Sequence, residues 1–491
     1  MKPHYGSALV AGQFISPQTF AVWAVVLLKM ISHWLVLFPL SIHVGQATVP
    51  WLMAHDRRLY VTILEHRPPL SALAVAAVQP LFGGDTLLTV RVLHLVTILA
   101  TIILIYEVAR RLLSETAGVL AVIWFALLES SFANVAFYFE VAQGLMYIGV
   151  AALLLRTVVH GRPLFLAGVL LGASLLTKQQ AVVVIIWVLV WVGWRWRSLS
   201  WEALVGAGIL VPLALVALYF ARDGRLDELY YWTVTFNVSH GVGKPGMVGG
   251  DFVRRLILSQ GWLLPFALTA LHERRGGDAL IVGIGLAAQT VQFPRAGDIH
   301  AAAALPFASI AFGVVIARLI PQGRWRTFPS QNVAALGVAA VICLAALTNV
   351  VTSYIPSPAG EGVLIGASDL KTVSAWLLQR EEDGDTMYVL PSSDSTAQLH
   401  VLTGMLPPGT WAPGNQFLHS EPFVNERLLA EWFSSPPTWL IWFPGLMAEA
   451  DSEPYFQPLL DFLHEHYDFA ARLEAQPFYG EALIYRYRES Q

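Results

Sequence analysis

Cysteine occurs once in the 491 residues, at Cys343, which excludes an intrachain disulfide and any metal site built on thiolates. Charge is scarce as well. Only 13% of the residues are Asp, Glu, Lys or Arg, against roughly 25% in soluble chains. The formal net charge of −4 is small for this length and gives no ground for a nucleic-acid partner. The chain carries no internal repeat, low-complexity tract, P-loop or dinucleotide fingerprint. What it has in abundance is apolar side chains, 56% of the total, so lipid is its main solvent.

Helical crossing of about 30 Å of hydrocarbon takes roughly 17–25 residues. The apolar runs predict eleven spans, at approximately 18–41, 87–110, 117–133, 138–157, 163–177, 180–194, 203–221, 255–272, 278–291, 299–318 and 331–354. Pro68–Phe82 is apolar but short, opens on two prolines and contains Gln79-Pro80, and so reads as a helix lying in the interface. With the N-terminus inside, every short inner turn carries at least two basic residues, from Arg110/Arg111 and Arg156/Arg162 through Arg195/Arg197 and Arg274/Arg275 to Arg318/Arg324/Arg326. The first span follows Lys2, has no convincing cleavage site and is expected to remain as an anchor. Within it, Lys29 and His33 read as packing or snorkelling residues.

After Tyr354 the composition turns polar through Pro356 and Pro358. Residues 1–354 are therefore expected to form a transmembrane domain and 355–491 a soluble domain, which an odd number of spans places outside. Runs at Thr386–Leu390, Thr438–Phe443 and Ala482–Tyr487 read as strands, and Leu370–Arg380 and Pro458–Tyr467 as helices, giving a small α/β layer.

The same topology gathers ionisable residues on the outer side: Glu65 and Arg67 in "ILEHRPPL", Arg91 near the start of the second span, Glu140 near that of the fourth, Lys178 in "LLTKQQA", and Arg295 and His300 in "PRAGDIHAAAALP". A charged side chain at membrane depth costs on the order of 2.5–3.5 kcal/mol on insertion scales, so gathering on one face argues for a shared polar cavity. Each member also has an ordinary role open to it. Arg91 and Lys178 can snorkel to the headgroups, Glu140 can favour a helix N-terminus, and Pro68-Pro69 can simply start a helix. As a set they offer cations for an anionic leaving group and a carboxylate or imidazole to accept a proton, the two needs of glycosyl transfer from a lipid phosphate.

Over most of the membrane part the sequence resembles the GT-C glycosyltransferases, specifically the family of protein O-mannosyltransferases and bacterial lipid A aminoarabinose transferases. "LYVTILEHRPPLSALAVAAVQPLFGGDTLLTVRVLHLV" is similar to that family's first outer loop and second span. "LLTKQQA" resembles its Lys-Gly turn with Gln179 in place of glycine, "RDGRLDELYYWTVTFNVSHG" a later substrate loop, and "PRAGDIHAAAALP" an Arg-x-x-His-Tyr turn without the tyrosine. One departure stands out: where the family has an acid soon after the first span, this chain has "LSIHVGQATVPWLM", with His43 or Gln46 in its place.

The resemblance implies a polytopic α-helical membrane protein of GT-C fold with a small C-terminal α/β domain. It implies an inverting glycosyltransferase that uses neither metal nor other cofactor and takes a sugar from a polyprenyl-phosphate donor on the outer membrane face, for a protein, lipid or glycan acceptor. Arg67, Arg91 and Lys178 match the residues near the lipid phosphate, with Arg295 and His300 in the later turn. Glu140 matches the acid of the second outer loop. His43, which titrates near neutral pH when unperturbed, Glu65 and Glu140 are the candidates for the proton acceptor. Two other classes stay open: a non-catalytic relative that binds lipid-linked sugar, motivated by the missing acid, and a transporter or flippase, which would normally show repeats and midplane polar residues.

Overall fold

The structure is a computed structural model. It describes residues 23–27, 42–43, 45–132, 137–156, 161–240, 256–257, 260–273, 275–290, 298–319, 367–392, 396–414, 416–445, 453–475 and 480–488. Most of the 18–41 segment, all of the 331–354 segment and Arg295 lie outside these residues.

After a short helix α1 (Thr48–Ala54) comes α2 (Leu70–Val78), continued by a 3-10 turn (Gln79–Phe82). The chain then runs through α3 (Thr86–Leu112), α4 (Glu115–Phe132), α5 (Phe139–Leu154), α6 (Gly161–Leu175), α7 (Ala181–Trp196) and α8 (Leu199–Arg222). Next are α9 (Leu226–Tyr230), a π-helical turn (Tyr231–Thr235) and α10 (Phe236–His240), followed by α11 (Leu263–Glu273), α12 (Gly276–Gln289), a 3-10 turn (Asp298–Ala301) and α13 (Leu305–Leu319). Nine of these helices overlap nine of the eleven predicted segments. Among the described residues two, α3 and α8, are long and apolar enough to cross a membrane by themselves.

Local chemistry explains several boundaries. Asp85 caps α3 by accepting from the Leu88 amide at 2.9 Å, and Arg110 and Arg111 close it where cations favour the carbonyl end. The α6 and α8 pair approaches closely because glycines face each other. A methyl at Gly168 would sit 2.1 Å from the Val205 carbonyl, and one at Gly208 2.1 Å from that of Phe165. Small residues let helix backbones approach where lipid gives no hydrophobic drive for association.

The C-terminal region begins with α14 (Ala367–Leu378) and contains α15 (Gln398–Thr403), α16 (Pro422–Ser434) and α17 (Glu453–His466) around a four-stranded mixed sheet. Its strands β1 (Met387–Leu390), β2 (Trp439–Trp442), β3 (Tyr467–Ala475) and β4 (Gly480–Tyr487) lie in the order β1-β2-β4-β3, with only the β1–β2 pair parallel. The strand β3 was not foreseen. Its text, with three alanines and the charged Asp468, Arg472 and Glu474, has weak strand propensity, which pairing with β4 overrides.

This region is seated on the chain between residues 42 and 65. The Leu64 amide donates to the Trp411 carbonyl at 2.9 Å, and the Trp411 amide to that of Thr62 at 2.8 Å. Arg57 reaches the Pro407 carbonyl at 2.7 Å, and Gln398 that of Ile42 at 2.8 Å. Trp411 is fully buried among residues of both regions.

Candidate active site

Two separate elements deliver side chains to Glu140, in the first turn of α5. Lys178 comes from the turn between α6 and α7, and His300 from the 3-10 turn ahead of α13. The predicted span 299–318 actually becomes α-helical only at Leu305, which leaves His300 in that turn. Both Lys178 Nζ and His300 Nδ1 donate to Glu140 Oε1, and the two nitrogens are 3.3 Å apart. Glu140 is fully buried, and its second oxygen, Oε2, has no hydrogen-bond partner among the described residues. A buried carboxylate oxygen without a donor is costly, and one beside a cation and an imidazole is poised to accept a proton or a substrate hydroxyl.

One turn further along α5, Gln143 Nε2 donates to the carbonyls of Ser174 and Lys178, each at 3.2 Å, and so clamps the lysine turn to the helix. The Glu140/Gln143 spacing, i and i+3, would have revealed this shared face. Gln179, where the related turns have glycine, donates to the Thr233 carbonyl at 2.9 Å and fastens the same turn to the π-helical segment.

A second group surrounds Arg67. Glu65, buried, accepts from the amides of His66 and Arg67 at 3.0 and 3.1 Å and from Arg67 Nη1 at 3.2 Å. Its oxygens thus organise the loop and aim the guanidinium. Tyr60 Oη donates to the Arg67 carbonyl at 2.7 Å. Burial, followed by the charge of Glu65, holds this phenol well above its ordinary range, so it remains a donor. Asn237 of α10 donates to the His66 carbonyl at 2.6 Å.

The aromatic pair Tyr138-Phe139 joins the two groups. The Arg67 guanidinium carbon lies 5.5 Å from the centre of the Phe139 ring. His43 packs edge-on against Tyr138 and Phe139 at 5.1 and 5.3 Å, and Tyr138 lies 6.3 Å from His300. His43 Nδ1 accepts from the Gly45 amide at 2.9 Å, which puts its proton on Nε2. Burial first, and then the charge of Arg67, hold its basicity well below the usual histidine value. Near neutral pH His43 is a neutral wall.

His43, Glu65, Arg67, Glu140, Lys178 and His300 therefore meet around one aromatic pair. Arg91 is half-buried near the start of α3, within the electrostatic reach of the capping Asp85, and the hydrogen bonds of the Glu140 group do not include it. Sequence reasoning also passed over His94 and Glu129, both buried. The His94 Nδ1 accepts from the Phe137 amide at 2.9 Å, while its Nε2 lies 3.7 Å from Glu129 Oε1. This imidazole ties α3 to the residue that leads into Tyr138. Among the described residues no group of three or more His, Cys, Asp or Glu could hold a metal ion.

Residues 66–220 match the family profile described as dolichyl-phosphate-mannose-protein mannosyltransferase. That stretch contains Arg67, Arg91, Glu140 and Lys178, and leaves His43, Glu65 and His300 outside. A sequence search of curated proteins finds no match. Among solved structures, the chain is similar to ArnT from Cupriavidus metallidurans bound to undecaprenyl phosphate, with TM-score 0.60 and 12% identity over 95% of this chain and 98% of that one. It is similar to the archaeal oligosaccharyltransferase AglB from Archaeoglobus fulgidus, in complex with an inhibitory peptide and a dolichol-phosphate, with TM-score 0.56 and 10% identity over 95% and 74%. The arabinofuranosyltransferase AftD from Mycobacteria gives TM-score 0.52 and 14% identity over 98% of this chain and 40% of that one. At these identities the likeness is one of fold: a helical membrane protein with a C-terminal domain.

Proposed function

We propose, from the premise that the chain is a PMT- and ArnT-like protein of the GT-C superfamily, that it transfers a sugar from a polyprenyl-phosphate donor to an acceptor on the extracytoplasmic membrane face. The observation that carries this reading is Glu140: a buried carboxylate with one oxygen held by Lys178 and His300 and the other without a hydrogen-bond partner among the described residues. The lipid carriers named for the ArnT and AglB structures suggest the donor class.

In the proposed step the acceptor O–H gives its proton to Glu140 Oε2 while its oxygen attacks the anomeric carbon from the face opposite the phosphate. The bond between that carbon and the phosphate oxygen breaks, and its electron pair leaves with the phosphate. Lys178 spends one N–H on Glu140 and has two more for phosphate oxygens, with Arg67 as the second cation. Charge develops on the leaving group just where these donors are fixed, which is what lowers a barrier. Glu65 keeps Arg67 aimed, and His300 keeps Glu140 oriented. Such an in-line step inverts the anomeric centre.

The reading includes eleven spans, a transmembrane domain over 1–354 and an outer domain over 355–491, in an inner or plasma membrane with the N-terminus cytoplasmic. Arg91 and Arg295 are assigned to the lipid-phosphate path. A second reading, binding of lipid-linked sugar without transfer, is favoured by His43, a neutral imidazole where related chains have an acid. Incubating the purified protein with a panel of polyprenyl-phosphate sugars separates the two. Free polyprenyl phosphate should appear with at least one donor, whereas retention of every donor intact, with tight binding, would establish the non-catalytic reading.

A further inference from the structure

The helix α5 starts at the Glu140 site and ends at Leu154, roughly 21 Å away at 1.5 Å per residue, so its far end marks the opposite membrane face. There the ends of α5 and α7 meet the starts of α8 and α12 around a cavity of about 260 Å³. Its walls include Arg156, Arg195, Trp191, Trp196, Trp201 and Gly277. Neither arginine has an ion-pair or hydrogen-bond partner among the described residues. The indoles, by contrast, are fixed. Trp191 Nε1 donates to the Gly276 carbonyl at 2.9 Å, and Trp191 and Trp196 stand edge to face at 5.2 Å.

Both guanidiniums are exposed at the mouth of the cavity and lack counter-ions among the described residues, so they can meet an incoming anion, and the planar fork of arginine suits phosphate oxygens. Tryptophan belongs at the headgroup level of a bilayer. The volume lies below the roughly 300–1,000 Å³ of pockets that enclose a whole small ligand, so it suits a headgroup whose remainder lies outside. A lane for that remainder exists: Val182, Ile186, Val190 and Trp194, four residues apart along α7, are 46–59% exposed and form one apolar stripe running from the cavity toward the middle of the bilayer.

We propose that this cavity is a binding site for the phosphate-bearing headgroup of an anionic phospholipid of the leaflet opposite the Glu140 site, with an acyl chain lying along the α7 stripe. A free phosphate would use the same two arginines but has no need of the stripe. Basic pockets between spans on the inner side are a general means of lipid recognition. The site is separate from the transfer reaction and holds whether or not the chain is a transferase.

The test uses the full chain in detergent, titrated with phosphatidylglycerol or phosphatidylcholine of identical acyl chains and read by native mass spectrometry. Wild type should retain phosphatidylglycerol preferentially, and Arg156→Gln/Arg195→Gln should bind it at least about tenfold more weakly. Arg197→Gln, beside the cavity but not part of its wall, should bind like wild type. An unchanged unfolding temperature of the double variant in lipid-free detergent establishes that its fold is kept. A readout needing no variant is quenching of tryptophan fluorescence by either lipid brominated near the headgroup, where phosphatidylglycerol should quench more. Equal retention or quenching of the two lipids, or a double variant that binds like wild type, would overturn the site. Displacement of the lipid by inorganic phosphate alone would overturn the lipid assignment.

Discussion

Replacing Glu140 with glutamine keeps the shape of the side chain but removes both the negative charge and the ability to take a proton. A positioned general base contributes about 10²–10⁴-fold to a rate, or about 2.7–5.4 kcal/mol at 1.36 kcal/mol per tenfold. Glu140→Gln should therefore lower transfer at least about a hundredfold. Lys178 remains partly solvated, with its side chain 17% exposed, so losing its carboxylate partner should not prevent insertion or folding. Single-turnover release of polyprenyl phosphate, in variants with wild-type chromatographic and unfolding behaviour, separates chemistry from binding. Because Lys178 and Glu140 share a hydrogen bond, a double-mutant cycle with Lys178→Met should be strongly non-additive. If Glu140→Gln turned over within about threefold of wild type, Glu140 would be a structural cap and the proposed chemistry would fail.

Arg67→Ala and Lys178→Ala should each slow turnover by at least about tenfold, roughly 1.4 kcal/mol in barrier; wild-type single-turnover rates would take both out of the phosphate site. His43→Gln should keep substantial activity, and the wild-type rate should show no fall centred near pH 6.5, since burial and Arg67 hold His43 neutral well below that value. A pH profile that loses such a step on His43→Gln would instead make the imidazole the base. In the C-terminal region, burial lowers His400 and His419 to about 4. With an unfolded value near 6.5, their contribution to stability is complete above that pH and lost as pH falls toward 4, at most about 2 kcal/mol for each by pH 5. The unfolding temperature of this region should drop between pH 7 and pH 5, and His400→Gln/His419→Gln should flatten the drop; an unaltered slope would refute the assignment.

What could be read from sequence follows the range of the forces involved. Apolar runs located helices such as α3, and Arg110/Arg111, a local signal, marked its far end. Pro68–Phe82, read as one short helix, contains α2 and its 3-10 turn over Leu70–Phe82, since proline acts on its own neighbours. Lys178, Glu140 and His300 were singled out one by one from the cost of placing charge in lipid, but nothing local shows that all three meet at one oxygen. The His94–Glu129 pair was missed because a lone histidine and a lone acid in apolar text carry no spacing signal. The docking of Trp411 against Thr62 and Leu64 joins residues about 350 apart and depends wholly on tertiary packing. In β3, local propensity pointed away from the strand that pairing imposes.

The central claim is transfer of a sugar from a lipid phosphate at the Glu140 site. Its most direct test measures, in one reaction, the polyprenyl phosphate released and the sugar gained by acceptor, for wild type and Glu140→Gln. One-to-one appearance of the two products in wild type, with both falling together at least about a hundredfold in the variant, is the predicted result. Release and transfer that persist unchanged in Glu140→Gln, or no release from any lipid-linked donor, would contradict it.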